Sequence, residues 1–74
     1  MPNTEAHTIS IQINGSSTTI PIDHSVEQLV ETLGLKGKAC AVEVNRALVP
    51  KRDHARTKLK DGDMVELVTL VGGG

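Results

Sequence analysis

Three consecutive glycines, Gly72, Gly73 and Gly74, follow the apolar run from Met64 to Val71. A terminal carboxylate becomes an acyl donor once it is activated, most often by adenylation with AMP as the leaving group. Glycine has no Cβ, so a glycine segment can enter a channel too narrow for any side chain. At roughly 3.3 to 3.6 Å per residue, such a tail reaches on the order of 10 Å beyond the packed chain. We therefore predict that the Gly74 carboxylate is the reactive group.

The other residues that could act as nucleophiles, acids, bases or metal ligands do not have the spacing of a catalytic or metal site. Cys40 alternates in phase with Val42 and Val44, which predicts a side chain directed into the core rather than an accessible nucleophile. The Asp-Gly-Asp segment 61–63 indicates a turn. The histidines lack metal-ligand spacing and are predicted on the surface or in loops: His7, His24 and His54. We predict that the chain is not an enzyme, binds no metal or cofactor itself, and is the substrate of a partner.

Composition narrows the class of protein further. A chain of 74 residues has room for one domain, and without aromatic residues its core must consist of Ile, Val and Leu. The net charge of −1 and the lack of aromatic side chains for base stacking argue against nucleic-acid binding. One cysteine excludes an intramolecular disulfide, and no apolar stretch is long enough for a membrane span or signal region. These features predict a soluble cytoplasmic protein.

The first two strands are predicted from alternation around Asn14-Gly15. Asn-Gly between alternating runs is typical of a two-residue type I′ hairpin turn. Such a turn pairs Ile11 with Thr18 and places the isoleucines of both strands on one face. These are Ile9, Ile11, Ile13, Ile20 and Ile22. Pro21 lacks an N–H group, so the second strand should lie at an edge of the sheet.

A short helix is predicted next. Ser25 followed three residues later by Gln28 is typical of a capping box, and Gly34 suits the left-handed position that ends a helix. Between them, apolar residues recur at helical spacing. The predicted core stripe consists of Val26, Leu29, Val30 and Leu33.

Three further strands are predicted at residues 40–44, 47–49 and about 64–71, and Ala55 and Leu59 should anchor the charged loop between the last two. This order predicts an α+β domain of the ubiquitin-like β-grasp type, a mixed sheet packed on one helix with its first and last strands central and parallel. The domain should span residues 8–71, between a loose leader at 1–7 and a flexible glycine tail at 72–74.

The faces of the last strand predict a docking surface. Val65 and Leu67 should face the helix, because Glu66 shares the opposite face and would be costly to bury unpaired. Val68 and Leu70 should then be exposed on the open side of the sheet, beside the tail. We predict that these two residues bind a partner.

Several short motifs in the second half of the chain occur together at a characteristic spacing. They are Glu43-Val44-Asn45, Leu48-Val49-Pro50-Lys51, Ala55, Thr57, Leu59, Asp61-Gly62-Asp63, Val65-Glu66-Leu67 and Val71-Gly72-Gly73-Gly74. On these residues the sequence resembles the ThiS family, the ubiquitin-like sulfur carriers of thiamin biosynthesis, from about Thr8 onward. It departs from the family pattern at Asn45-Arg46, where Asn-Gly or Asn-Gln is frequent, and at His54, where an aromatic residue is frequent.

The resemblance implies a specific chemistry. An E1-like (ThiF-like) adenylyltransferase using ATP and magnesium would adenylate Gly74, and a persulfide donor would supply sulfur to form a thiocarboxylate. The thiocarboxylate would then give its sulfur to a ThiG-like thiazole synthase. Gly73 would pass the narrow channel of both enzymes, and Gly72 would be the flexible lead.

Three alternatives remain open from the sequence. The chain could serve as the sulfur carrier of molybdopterin synthesis, although those carriers usually have aromatic core residues. It could serve another sulfur pathway, or modify proteins through an amide between Gly74 and a lysine. It could also be a noncovalent β-grasp interaction module with an incidental glycine-rich tail.

Overall fold

The computed structural model describes residues 7–70. Within this range the elements are β1 (Thr8–Ile13), β2 (Ser16–Pro21), α1 (Val26–Thr32), β3 (Cys40–Val44), β4 (Ala47–Val49), a 3-10 helix (Lys51–Arg56) and β5 (Met64–Thr69). The strands form one sheet in the order β2-β1-β5-β3-β4. β1 and β5 are parallel and the other neighbours are antiparallel. The predicted mixed sheet with parallel central strands, and the edge position of β2, are confirmed.

The first hairpin has the predicted register. Ile11 pairs with Thr18 and Ile9 with Ile20. Asn14 and Gly15 have φ angles of 49° and 87°, the positive values that a type I′ turn requires. β2 ends at Pro21, however, so Ile22 is exposed and does not join the isoleucine face.

The helix begins as predicted. The Gln28 backbone N–H donates to Ser25 Oγ at 3.0 Å, and the Ser25 N–H donates to Gln28 Oε1 at 2.9 Å, which completes the capping box. Gly34 has a φ of 77° in the left-handed position that ends the helix.

Leu33 was wrongly assigned to the core, because the chain turns at the end of α1. The Gly34 N–H donates to Glu31 O at 2.9 Å and the Leu35 N–H to Val30 O at 3.0 Å, the two bonds of a Schellman motif. This turn leaves Leu33 42% exposed at the C-cap and packs Leu35 against the core instead.

The core fills the space between the sheet and α1. Val65 and Leu67 face it, as predicted, and Leu59 anchors the preceding loop. Ala55 is exposed, contrary to the prediction, because the 3-10 helix turns His54 inward and its Nε2 lies 3.1 Å from Val49 O. The buried apolar residues are Ile11, Ile20, Val26, Leu29, Val30, Val42, Leu59, Val65 and Leu67.

Asn14 extends the pairing between the two central strands. β1 and β5 pair directly only at Gln12 with Met64 and at Ile13 with Val65. Beyond these pairs, the Asn14 N–H donates to Val65 O at 2.8 Å. Its side chain then accepts from the Leu67 N–H at 2.8 Å and donates to Leu67 O at 3.1 Å. The Asn14 side chain therefore supplies the hydrogen bonds that a backbone residue of a longer β1 would supply to Leu67 of β5.

We expect Asn14→Ala to lower the free energy of unfolding by about 2 to 4 kcal/mol, because it removes two side-chain hydrogen bonds and because alanine adopts positive φ less readily than asparagine. Asn14→Gly keeps the backbone conformation at no steric cost and should lose about 1 to 2 kcal/mol. Urea denaturation of both variants measures these values. Parent-like stability of Asn14→Ala would show that the side-chain bonds contribute nothing.

Candidate functional site

The predicted reactive group lies outside the described residues. Gly74, together with Gly72 and Gly73, belongs to the segment 71–74, and residues 1–6 of the predicted leader also lie outside. His7, the last residue assigned to that leader, accepts a hydrogen bond at its carbonyl from the Ile22 N–H at 2.9 Å. The structure describes the platform from which the tail begins.

That platform is the end of the central strand β5. Thr69 pairs with Cys40 of β3, and the Leu70 N–H donates to Ala39 O at 2.8 Å. The chain is therefore hydrogen-bonded through Leu70, one residue before the segment 71–74. This pairing holds Leu70, at the end of the central strand, against the residue that precedes β3.

The open face of the sheet carries exposed apolar side chains near this origin. Val68 is 57% exposed, as predicted, and stands opposite Ala41 of β3. Leu48 of β4 stands opposite Glu43, which in turn stands opposite Glu66 of β5. Because directly paired residues share a face, Val68, Leu48 and the two glutamates belong to one surface, which we call the open-face patch.

Two like charges meet in the open-face patch. Glu43 and Glu66 are directly opposite each other in the antiparallel pair β3 and β5, an arrangement that destabilises a sheet. Neither carboxylate takes part in an ion pair within residues 7–70. The patch therefore combines apolar surface with concentrated negative charge, which suits a partner surface that is apolar and basic.

Leu70 lies elsewhere. It is 59% exposed, which confirms its predicted accessibility. It lines a cavity together with Val30 of α1 and His54 of the 3-10 helix, so it belongs to the helix side of the sheet. The expectation that it shares an open face with Val68 is wrong, because β5 ends at Thr69 and strand alternation no longer applies to the next residue.

The cavity beside Leu70 has a volume of about 490 Å³. Its walls come from α1, the loop that follows, the start of β3 and the 3-10 helix. Cys40 is half-buried and packs against the core, as predicted, and it also lines this cavity. We call the cavity the helix-side groove.

The polar side chains at the turn between β3 and β4 have structural roles. Asn45 and Arg46 form a second turn with positive φ, and the Asn45 side chain bonds to Asp63 Oδ1 and to the Met64 N–H, both at 3.0 Å. Among residues 7–70, no group of three His, Cys, Asp or Glu side chains is placed to hold a metal ion. None of the helices in that range is long and apolar enough to cross a membrane.

A five-stranded mixed sheet that grips one helix, with its central last strand leading into a glycine tail, defines a ubiquitin-like β-grasp protein. Residues 10–74 match the sequence profile of the ThiS family. The chain belongs to this family of small sulfur carrier proteins.

Individual relatives agree with this assignment. The crystal structure of the thiamine biosynthesis protein ThiS from Geobacter metallireducens superimposes with a TM-score of 0.73 at 28% identity, covering 89% of this chain and all of that one. The sulfur carrier protein ThiS of Bacillus subtilis is 31% identical over 65 residues, which are 86% of this chain and 98% of the relative.

A thiazole synthase of Paramagnetospirillum magneticum is 36% identical over 66 residues, which are 89% of this chain. The chain spans only 20% of the length of this synthase, and the same share of a thiazole synthase from Magnetococcus marinus. These two synthases therefore contain a segment that is similar to the whole domain described above.

Proposed function

We propose that this chain carries sulfur on its C-terminal glycine for the formation of the thiazole of thiamin. The Gly74 carboxylate would be adenylated, converted to a thiocarboxylate and used as the sulfur donor. The observation that carries the proposal is the family match, which runs through Gly74. One matching relative is named as a sulfur carrier protein, and the match covers 98% of that relative.

The chemistry requires three displacements. A carboxylate oxygen of Gly74 would attack the α-phosphorus of ATP, forming the acyl adenylate and releasing pyrophosphate. The terminal sulfur of a persulfide would then attack the carbonyl carbon, and AMP would leave, which gives an acyl disulfide. A second thiol would attack the donor's own sulfur in that S–S bond, releasing the thiocarboxylate and leaving the donor as a disulfide. An E1-like adenylyltransferase would hold the ATP and magnesium, and this chain would supply the carboxylate and the reach of its glycines.

Thiazole synthase is the proposed sulfur acceptor. Support comes from the two relatives named as thiazole synthases, in which a segment similar to this chain is part of the same polypeptide. A carrier and an acceptor joined covalently have a high effective concentration for each other, which favours sulfur transfer between them.

The open-face patch is the proposed docking surface for both enzymes. Val68 and Leu48 supply apolar area, and the opposed Glu43 and Glu66 supply charge that steers a basic partner. Docking on this face would leave the end of β5 beside the bound enzyme. Leu70 lies on the other side of the sheet, so a partner docked on the open-face patch would contact it only by extending around the end of β5.

Intact-mass measurement tests the proposed reaction. The full chain is incubated with the adenylyltransferase, ATP, magnesium, a persulfide donor and a thiol reductant. We expect a mass increase equal to exchange of one oxygen for sulfur, located in the C-terminal peptide and absent without ATP. Cys40→Ser should convert as fast as the parent, and because Cys40 is the sole cysteine, this variant assigns any remaining thiol-like reactivity to the thiocarboxylate.

Two results would contradict the proposal. Sulfur found on Cys40, with an unmodified C-terminal peptide, would show that Cys40 and not Gly74 accepts the sulfur. Accumulation of amide-linked conjugates with another protein would favour the alternative role of a protein modifier.

A further inference from the structure

The last part of β5, residues 67–70, is supported differently on its two sides. On the β3 side, pairing continues through Thr69, and the Leu70 N–H donates to Ala39 O at 2.8 Å. On the β1 side, the paired residues of β5 end at Val65. We call residues 67–70 the outgoing segment, because the chain continues from it to the glycines.

The Asn14 side chain bonds to the outgoing segment from the β1 side. Its amide accepts from the Leu67 N–H at 2.8 Å and donates to Leu67 O at 3.1 Å. The hairpin turn holds Asn14 itself in place, since its φ is 49° and its own N–H donates to Val65 O at 2.8 Å. Asn14 therefore ties the outgoing segment to the first hairpin.

The outgoing segment lies in a weakly supported part of the sheet. β4 pairs with β3 only from Val42 to Val44, so the β3–β5 pairs beyond Val42 form a two-stranded ribbon. Such ribbons twist more than wider sheets and are marginally stable by themselves. Just before the segment, Glu66 is directly opposite Glu43, a like-charge pair that destabilises the strands. The two bonds from Asn14 act at the base of this ribbon.

We propose that Asn14 is a positioning residue for the reaction at Gly74, because it fixes the direction in which the outgoing segment leaves the sheet. This inference rests on the proposed function. Asn14 acts through Leu67, whose two backbone groups it holds. A partner docked on the open-face patch contacts Leu48 of β4, and the bonds to Leu67 keep the strand end at a constant position relative to that contact.

Asn14→Gly tests the role of the side chain, because it removes both bonds and keeps the backbone conformation of the turn. With a saturating amount of carrier, we expect kcat for adenylation, measured as pyrophosphate release, to fall about fivefold. This is less than the roughly hundredfold cost of a full 1 Å misplacement, because β3 and the buried Leu67 side chain still hold the strand. The dissociation constant measured by titration calorimetry should stay within about twofold of the parent value, because Leu48 and Glu43 are unchanged.

Asn45 provides a matched control at the other end of β5. It also lies in a turn with positive φ, 52°, and its side chain accepts from the Met64 N–H and donates to Asp63 Oδ1, both at 3.0 Å. Asn45→Gly therefore removes two comparable side-chain bonds at the start of the same strand and should keep the parent kcat. A role of Asn14 in stability alone predicts the same kcat for both variants.

Native-state hydrogen exchange measures the effect on the strand end without any enzyme. The amides of Val68 and Leu70 face β3, so Asn14 does not bond to them. They should nevertheless exchange at least about fivefold faster in Asn14→Gly than in Asn45→Gly, because the whole outgoing segment opens more readily.

Three results would overturn the inference: a parent kcat in Asn14→Gly, an equal loss of kcat in Asn45→Gly, or equal exchange of the two amides in both variants. A parent chain that is not adenylated at all would refute the proposed function, and the positioning role with it. A parent that is adenylated while Asn14→Gly keeps its rate would refute the positioning role alone.

Discussion

Gly73→Val should slow adenylation of the chain roughly a hundredfold or more, because misplacing a reacting group by about 1 Å can cost that much. Valine adds a branched side chain where the proposed mechanism requires passage through a narrow channel. Pyrophosphate release with a saturating amount of carrier measures the effect.

The same substitution should leave the melting temperature unchanged. Among the described residues, the buried apolar core runs from Ile11 to Leu67, and glycine has no side chain to contribute to it. Gly73→Ala should show an intermediate rate, and Gly72→Ala should be tolerated better, since Gly72 lies nearer the channel mouth. A Gly73→Val carrier adenylated at the parent rate would refute the narrow-channel argument.

Val68→Asp should weaken binding to the adenylyltransferase and to thiazole synthase by about tenfold or more, the loss expected when a central apolar contact of an interface is removed. The fold should remain stable, because Val68 is exposed and its neighbour across the strands, Ala41, is not in the buried core. Titration calorimetry with each enzyme measures the affinity, and thermal denaturation measures stability.

Matched variants separate the possible causes. Val68→Ser removes the apolar contact without adding a charge beside Glu66. Thr19→Asp adds the same charge to the open face, but on the edge strand β2, two strands from Val68, and should leave binding unchanged because the open-face patch lies on β3, β4 and β5. Leu70→Asp probes the helix side, so a loss of affinity there without a loss at Val68 would show that the enzymes dock on the opposite face of the sheet.

Much of the fold followed from the sequence because the deciding interactions are local. The Asn14-Gly15 turn sets the register of the first hairpin, since both residues must adopt positive φ. Ser25 and Gln28 satisfy each other's backbone groups within one turn of helix. In β5, the charge of Glu66 was enough to choose which face is buried, because alternate residues point to opposite faces.

At the ends of helices and strands, local sequence patterns predicted the wrong position for several side chains. Helical spacing placed Leu33 in the core, but the Schellman turn after α1 replaces it with Leu35. Strand alternation placed Leu70 beside Val68, but β5 ends before it and Leu70 lines the helix-side groove. His54 is buried at 7% exposure because the 3-10 helix turns it toward the carbonyl of Val49.

The candidate site divides in the same way. The sequence by itself determined the glycine segment after the last strand, from residue type, and the exposure of Val68, from strand alternation. Only the tertiary structure brought Glu43 opposite Glu66 and gathered Lys38, Lys51 and Leu70 around one groove. The physical reason is that these neighbours come from segments far apart in the chain, and their contacts depend on which strands pair and where each one ends.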